Sequence, residues 1–151
     1  MHHPLRLAAL ALLLTACPGG DGPAPVPPTA ENLVGTWDLE ALYVALDTNP
    51  TIRFDRVKDG YDETLTVTPS GTFTMDWVIV GGGTPTETGP VTLVGDTVVL
   101  SFTGIFAGQS YRKFARVDGR EMTWISTSTG IEPRLSGAQE VIRGTWKWRR
   151  R

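Results

Sequence analysis

The sequence predicts an all-β domain of eight antiparallel strands that run up and down and close into a barrel. From Glu31 onward, apolar and polar residues alternate with a period of two, and almost no helical period is present. Short turn signals recur at intervals of about 24 residues and divide the central part of the chain into hairpins. These turns are Pro69-Ser70-Gly71, Gly95-Asp96 and Asp118-Gly119. The last strand alternates like the first, so the two can pair and close the sheet. A two-sheet sandwich of the same strands is the alternative.

Residues 1–16 have the order of a secretory signal peptide. A basic start around Arg6 precedes an apolar run of Leu and Ala at residues 7–14, and small residues follow before Cys17. A membrane-spanning helix needs about 20 apolar residues, so this run is too short to cross a bilayer. We therefore expect the leader to be removed.

The end of this leader resembles the lipobox of bacterial lipoproteins. Leu14-Thr15-Ala16-Cys17 has the aliphatic residue, the two small residues and the cysteine of that motif. The resemblance implies that Cys17 becomes the first residue of the mature chain and is diacylated on sulfur, so that the protein is anchored to a membrane through its lipid. Pro18 stands where an Asp tends to retain such proteins on the inner membrane, which favours the outer membrane of the cell envelope. An ordinary signal peptide with a chance cysteine is the alternative.

Removal of the leader would also limit the chemistry of the mature chain. His2 and His3 would be lost, and the single cysteine, Cys17, would be acylated. This excludes a histidine base, a cysteine nucleophile, a His/Cys zinc site and a disulfide. Removing Arg6 from the 14 basic residues leaves 13 against 16 acidic ones, which does not suggest nucleic acid as a partner. We expect no enzyme activity, no metal and no cofactor.

Residues 17–29 are rich in Pro and Gly and predict a tether, and residues 30–151 predict a single domain. A short helical turn is expected at 29–32, before a first strand at about 34–43. Alternation predicts that its inner face carries Gly35, Trp37, Leu39, Ala41 and Tyr43.

Residues 46–62 predict a long polar loop near the barrel mouth, with a possible short strand at 52–54. Several carboxylates crowd this region without the spacing of a calcium loop, and basic residues lie among them. The carboxylates are Asp55, Asp59, Asp62 and Glu63. We interpret this segment as a solvated loop of mixed charge.

The turns fix a register for each hairpin, because the residues on either side of a turn must pair. The predicted cross-strand pairs are Val67 with Phe73, Leu93 with Val98, Arg116 with Glu121, Ala115 with Met122 and Lys113 with Trp124.

The Gly35-x-Trp37 motif in the first strand resembles the lipocalin family, and the chain as a whole is similar to small bacterial lipocalin-like lipoproteins. The resemblance covers roughly residues 33–151 and implies a barrel in which the Trp packs against an Arg near the end of the last strand. Arg149 and Arg150 are both candidates for this role. The chain departs from classical lipocalins in its short length, its lack of disulfides and its lack of a recognisable C-terminal helix.

Alternation places all five tryptophans on the inner face of the barrel. They are Trp37, Trp77, Trp124, Trp146 and Trp148. An eight-stranded barrel is just wide enough to be filled by side chains or to hold one small ligand. The interior is therefore either a plain core or an aromatic pocket, and the candidate ligand-binding residues are Trp77, Phe102, Lys113 and Trp124.

Lys113 is unusual because the predicted register points it inward beside Trp124. It would bind an anionic ligand group, form a cation–π pair with Trp124, or reach water from the rim. We expect a lipid-anchored envelope protein that binds a small apolar or amphipathic ligand. The alternative is a protein-interaction module, an inhibitor or envelope assembly factor, that has a filled barrel and acts through its loops on a partner that the sequence does not name.

Overall fold

The structure is a computed structural model that describes residues 25–78 and 80–151. The predicted signal peptide, Cys17 and most of the predicted tether lie outside the described residues. The elements in chain order are α1 (Ala30–Leu33), β1 (Gly35–Leu46), β2 (Asn49–Asp55), a 3₁₀ turn (Val57–Asp59), β3 (Asp62–Val67), β4 (Thr72–Val78), β5 (Thr86–Val94), β6 (Thr97–Ser101), β7 (Ser110–Asp118), β8 (Glu121–Ile131) and β9 (Gln139–Arg150).

Eight of these strands form a closed antiparallel barrel, as the sequence predicted. Strands β3 to β9 pair in sequence order, β3 pairs with the first half of β1, and β9 pairs back with β1. Strand β2 pairs with the second half of β1, where Val44 lies opposite Phe54. Strand β2 includes the short strand expected at 52–54 but is seven residues long. The prediction of a long loop over 46–62 was therefore wrong, because most of this segment forms β2 and the 3₁₀ turn. The β1–β2 hairpin extends the barrel wall beyond β3.

The short helix α1 begins at a capping box. The Asn32 amide donates to the Thr29 hydroxyl over 3.1 Å, and the Thr29 amide donates to the Asn32 side-chain oxygen over 2.7 Å. The helical turn expected at 29–32 is confirmed. Just before it, Val26 exchanges two backbone hydrogen bonds of 2.9 Å with Val117 on β7. The last residues of the predicted tether therefore contact the barrel.

Two of the three hairpin registers are confirmed, with Val67 opposite Phe73 and Leu93 opposite Val98. In each case a glycine at the turn has a positive φ, as these short loops require.

The register of the third hairpin, β7–β8, was predicted wrongly by two residues. Asp118 pairs with Glu121, so the two turn residues are Gly119 and Arg120, with a positive φ of 56° at Gly119. The predicted turn would have placed Asp118 at a central position, where a type I′ turn demands positive φ. A turn that begins at the glycine avoids this strain. Because the error is two residues, each side chain keeps its predicted face.

The third hairpin therefore has different partners from those expected. Ala115 lies opposite Trp124, and Lys113 lies beside Ser126 instead of Trp124. Arg116 does not pair with Glu121 but binds Asp96 at 2.7 Å.

The face of β1 was predicted correctly only in its first half. Trp37 and Leu39 are buried in the core, but the pairing with β9 shifts by one residue between Leu39 and Ala41. This β-bulge reverses the alternation. Leu42 and Val44 therefore belong to the core, whereas Tyr43, predicted to face inward with Ala41, carries Arg53 over its ring at 4.2 Å.

The core fills the end of the barrel that α1 covers, which we call the closed end. Large buried side chains from six strands form it: Trp37, Leu65, Phe73, Met75, Leu100, Met122, Trp124 and Trp148. The Trp124 and Trp148 rings meet edge to face with centroids 5.1 Å apart. This close packing leaves the opposite end, the mouth, as the place for a cavity.

Candidate ligand-binding site

A cavity of about 680 Å³ opens at the mouth of the barrel. Its wall is largely aromatic and includes Tyr61, Trp77, Phe106, Tyr111, Trp124 and Trp146. The charged residues of the lining are the buried Glu63 and Lys113 and the exposed Arg112. Hydroxyl groups of Ser110, Ser126, Thr127 and Ser128 also line the cavity. Ligand pockets typically have volumes of about 300–1,000 Å³ with apolar walls and a few polar groups, so this cavity has the size and composition of a small-molecule site.

A second cavity of about 580 Å³ adjoins the first and shares Tyr61, Ser126, Ser128 and Trp146 with it. It lies where β1, β8 and β9 extend beyond the closed part of the barrel. Apolar side chains of this extension, including Leu42, Val44 and Ile142, line it. Together the two cavities give the mouth an elongated space with Trp146 between its halves.

The position of Trp146 depends on a glycine on the same strand. A Cβ atom at Gly144 would lie 2.5 Å from the Trp146 ring, closer than any side chain tolerates. Glycine at 144 therefore lets the indole lie flat against the strand and separate the two cavities. Trp146 is half-buried, unlike the other four tryptophans, which are buried.

Glu63 points into the cavity from the start of β3 and is only 5% exposed. Its Oε2 atom has no hydrogen-bond partner among the described residues. Burial raises the pKa of Glu63 to about 7. The charge of Lys113 and the polar hydrogens of Tyr61, Trp77 and Trp146 oppose that rise, but none of them closes a hydrogen bond on Oε2.

Lys113 enters the same cavity from β7 and is 8% exposed. Its Nζ atom donates to the Ser126 hydroxyl over 3.0 Å and lies 3.5 Å from the centroid of the Trp146 ring. Burial lowers the pKa of Lys113 to about 8, and the negative charge of Glu63 opposes this shift. The expected cation–π contact therefore exists, but with Trp146 and not with Trp124.

The connection between β6 and β7 folds over one side of the cavity. Glu87 on β5 is fully buried and accepts hydrogen bonds from the backbone amides of Gly104 at 3.1 Å and Phe106 at 2.9 Å. These bonds hold Phe106 against Trp77, with ring centroids 5.5 Å apart. The buried carboxylate is thus a structural anchor for the aromatic wall.

Three of the four residues predicted from the sequence to bind ligand line this cavity: Trp77, Lys113 and Trp124. The fourth, Phe102, lies behind the wall with its ring 6.1 Å from that of Trp77. Their binding role stays a prediction.

Glu63 was placed wrongly in a solvated loop of mixed charge. The signal that could have found it is the alternation of Glu63, Leu65 and Val67, which puts all three on the inner face. Tyr61, just before β3, was missed with it, and so was the buried Glu87 on β5. Tyr61 lies at the end of a loop and Glu87 lies close to Pro85, so neither stands in a clear alternation of apolar and polar residues.

Comparison with known proteins adds no relative: no family model matches the chain, and no curated protein matches it. The resemblance to lipocalins therefore stays a prediction, whereas the barrel architecture is observed.

Within residues 25–78 and 80–151, no group of three or more His, Cys, Asp or Glu side chains is placed to hold a metal ion. In the same part of the chain, every helix is too short or too polar to cross a bilayer.

Proposed function

We propose that this protein binds a small amphipathic molecule in the mouth of its barrel. The observation that carries the proposal is the cavity itself, open at one end and lined by Trp77, Trp124 and Lys113 together with Glu63. A filled barrel was the other outcome that the five tryptophans allowed. The closed end is filled, but the mouth is not.

The two charged residues support a binding role because they work against folding. A buried carboxylate or ammonium without a full set of partners costs stability, and an apolar residue in its place is often neutral or stabilising. Glu63 and Lys113 both have pKa values shifted towards the neutral form. Such groups gather at functional sites, where their cost is offset by what they bind.

We propose further that the barrel is held at the bacterial cell envelope by acylation of Cys17, with the outer membrane favoured. Acylation is proposed from the lipobox resemblance of Leu14-Thr15-Ala16-Cys17, and the outer membrane from Pro18 at the next position. Mass spectrometry of the protein from bacterial cells tests it, since acylation adds a defined mass to Cys17 and a Cys17→Ser variant should lose it.

A second candidate function is a contact with another protein at the mouth. Ile105 is 69% exposed next to Phe106, and Val80 and Ile131 are also exposed. Clustered apolar side chains at one end of a molecule are typical of interaction sites. They would act as the contact surface of an inhibitor or assembly factor.

Native mass spectrometry of the full-length protein, purified from the envelope of its own host, distinguishes the two functions. A small-molecule adduct that disappears in Lys113→Met but persists in Lys147→Met supports ligand binding. Lys147 is a matched control because it donates to the Thr123 hydroxyl over 2.8 Å on an exposed site of the barrel. No adduct, together with unchanged tryptophan fluorescence on addition of fatty acids or small aromatic compounds, would contradict it and favour a protein partner.

A further inference from the structure

The cavity at the mouth contains one buried acid and one buried base that do not neutralise each other. Glu63 comes from β3 and Lys113 from β7, and both buried side chains line the same cavity. Yet Lys113 donates to Ser126, and Glu63 Oε2 has no partner among the described residues. A direct ion pair, the usual arrangement of two opposite buried charges, is missing here.

This arrangement restricts the charge of a ligand. An anion placed next to Lys113 would come close to Glu63, and a cation placed next to Glu63 would come close to Lys113. In a low-dielectric cavity, such like-charge contacts cost several times more than in water. A ligand with a single charge would therefore lose at one residue much of what it gains at the other.

We propose that the ligand is a zwitterion whose ammonium group binds Glu63 and whose carboxylate or other anionic group binds Lys113. The proposal rests on the proposed ligand-binding function and specifies its chemistry. A zwitterion supplies an opposite charge to both residues at once, fills the vacant hydrogen-bonding position at Glu63 Oε2 and adds no net charge to the cavity.

The surroundings of the two charges fit this assignment. The Ser126 hydroxyl that now accepts from Lys113 is a further polar group within reach of an anion bound there. Trp77 lines the cavity beside Glu63, and aromatic faces attract ammonium groups. The remaining aromatic wall, including Trp124 and Phe106, offers contact area to an apolar or aromatic body on the ligand.

Four probes with a common phenyl-alkyl body test the proposal. Phenethylamine carries only the cation and hydrocinnamate only the anion. Phenylalanine carries both charges close together, and β-phenyl-γ-aminobutyrate carries both further apart. Isothermal titration calorimetry with the full-length protein should give at least one zwitterion an affinity about tenfold or more above either singly charged probe.

Variants assign each end of the zwitterion. Glu63→Gln should reduce the affinity for the zwitterion about tenfold, to the level of the affinity for hydrocinnamate. The same substitution should not weaken the binding of hydrocinnamate. Lys113→Met should reduce the affinity for the zwitterion to the level of the affinity for phenethylamine. Ser126→Ala, which removes the hydroxyl next to Lys113, should reduce it less. Glu121→Gln and Lys147→Met, which change exposed groups, should leave all four affinities unchanged. Near-ultraviolet circular dichroism identifies any variant that has lost its fold.

The outcomes separate this proposal from the one it rests on. If a singly charged probe binds as tightly as both zwitterions, or if none of the four binds while an envelope adduct is present, the zwitterion assignment is wrong and ligand binding stands. If none binds and no adduct is found, both proposals fail.

Discussion

Arg150 lies over the indole ring of Trp37, with its guanidinium carbon 4.4 Å from the ring centroid. The same guanidinium donates to the backbone carbonyl of Asn32 in α1. Trp37 in turn donates from Nε1 to the carbonyl of Leu33 over 2.8 Å. The first strand, the last strand and the short helix are thus joined at one place. Of the two candidate arginines, Arg150 and not Arg149 packs against Trp37.

This contact predicts that Arg150→Met destabilises the fold. The substitution removes a cation–π contact and leaves the carbonyl of Asn32 without its donor, so the free energy of unfolding should fall by about 1–3 kcal/mol. Urea denaturation followed by tryptophan fluorescence measures the change. Arg149→Met is the matched control, because Arg149 forms only exposed ion pairs with Glu40 and Glu121, and solvent screens such pairs so that their loss should cost far less than the loss of Arg150. Equal losses in the two variants would refute the special role of Arg150.

Lys113→Met is expected to stabilise the protein in the absence of ligand. Lys113 has a hydrogen bond to Ser126 and lies over the face of Trp146, but no carboxylate pairs with it directly, and burial lowers its pKa despite the charge of Glu63. Met has a similar shape and no charge. We expect the free energy of unfolding at neutral pH to rise by about 1–2 kcal/mol. In Lys147→Met, the exposed control, it should change by less than about 0.5 kcal/mol. A clear loss of stability in Lys113→Met would mean that the buried charge is fully compensated.

The buried Glu63 predicts an unusual pH dependence. Its folded pKa of about 7 exceeds the ordinary value of 4.5, so the folded state holds the proton more tightly than the unfolded state. Its contribution to stability is therefore fully present below pH 4.5 and is lost as the pH rises through 7, by on the order of 3 kcal/mol. Lys113, with a pKa lowered from 10.5 to about 8, acts in the opposite direction and only at higher pH.

Glu63→Gln should remove this dependence. Plotted against pH, the difference in free energy of unfolding between Glu63→Gln and the wild type should shift in favour of the variant between pH 4.5 and 7. Urea titrations at several pH values measure it. Other carboxylates, such as Asp38 with its pKa lowered by Arg151, contribute equally to both proteins and cancel. For Glu121→Gln, the free energy of unfolding should depend on pH in the same way as for the wild type. The same result for Glu63→Gln would contradict the prediction and show that folding does not raise the pKa of Glu63.

The sequence predicted the barrel because alternation and turn residues are local signals. It failed at the bulge in β1 and at the register of the third hairpin. The bulge after Leu39 turned Tyr43 outward, although nothing in the composition of β1 marks a bulge. At the third turn the dipeptide Asp118-Gly119 was read as the loop, whereas only Gly119 takes a positive φ. Local patterns thus predicted the strands and two of the three hairpin registers, whereas the bulge and the third register depend on pairing with neighbouring strands.

The candidate site was predicted only in part for a related reason. Trp77, Lys113 and Trp124 belong to strands with a clear alternation of apolar and polar residues, and this alternation predicts that their side chains face the barrel interior. Glu63 begins its strand, next to exposed acids, and looked like part of their loop. That it is buried opposite Lys113 depends on how β3 and β7 face each other across the barrel, which no local pattern encodes.

Gly144→Ala should disturb the mouth without reaching the closed end. The new Cβ would lie 2.5 Å from the Trp146 ring, so the indole must move, and Lys113 loses the aromatic face that it now covers. Overpacking of this kind costs about 1–3 kcal/mol. We expect a lower free energy of unfolding, a shifted tryptophan emission maximum and weaker binding of any ligand held at Lys113. Gly83→Ala is the control, because nothing lies within 4 Å of a Cβ atom there. Unchanged emission and affinity in Gly144→Ala would contradict the close approach of the Trp146 ring to Gly144 and its role as the wall between the two cavities.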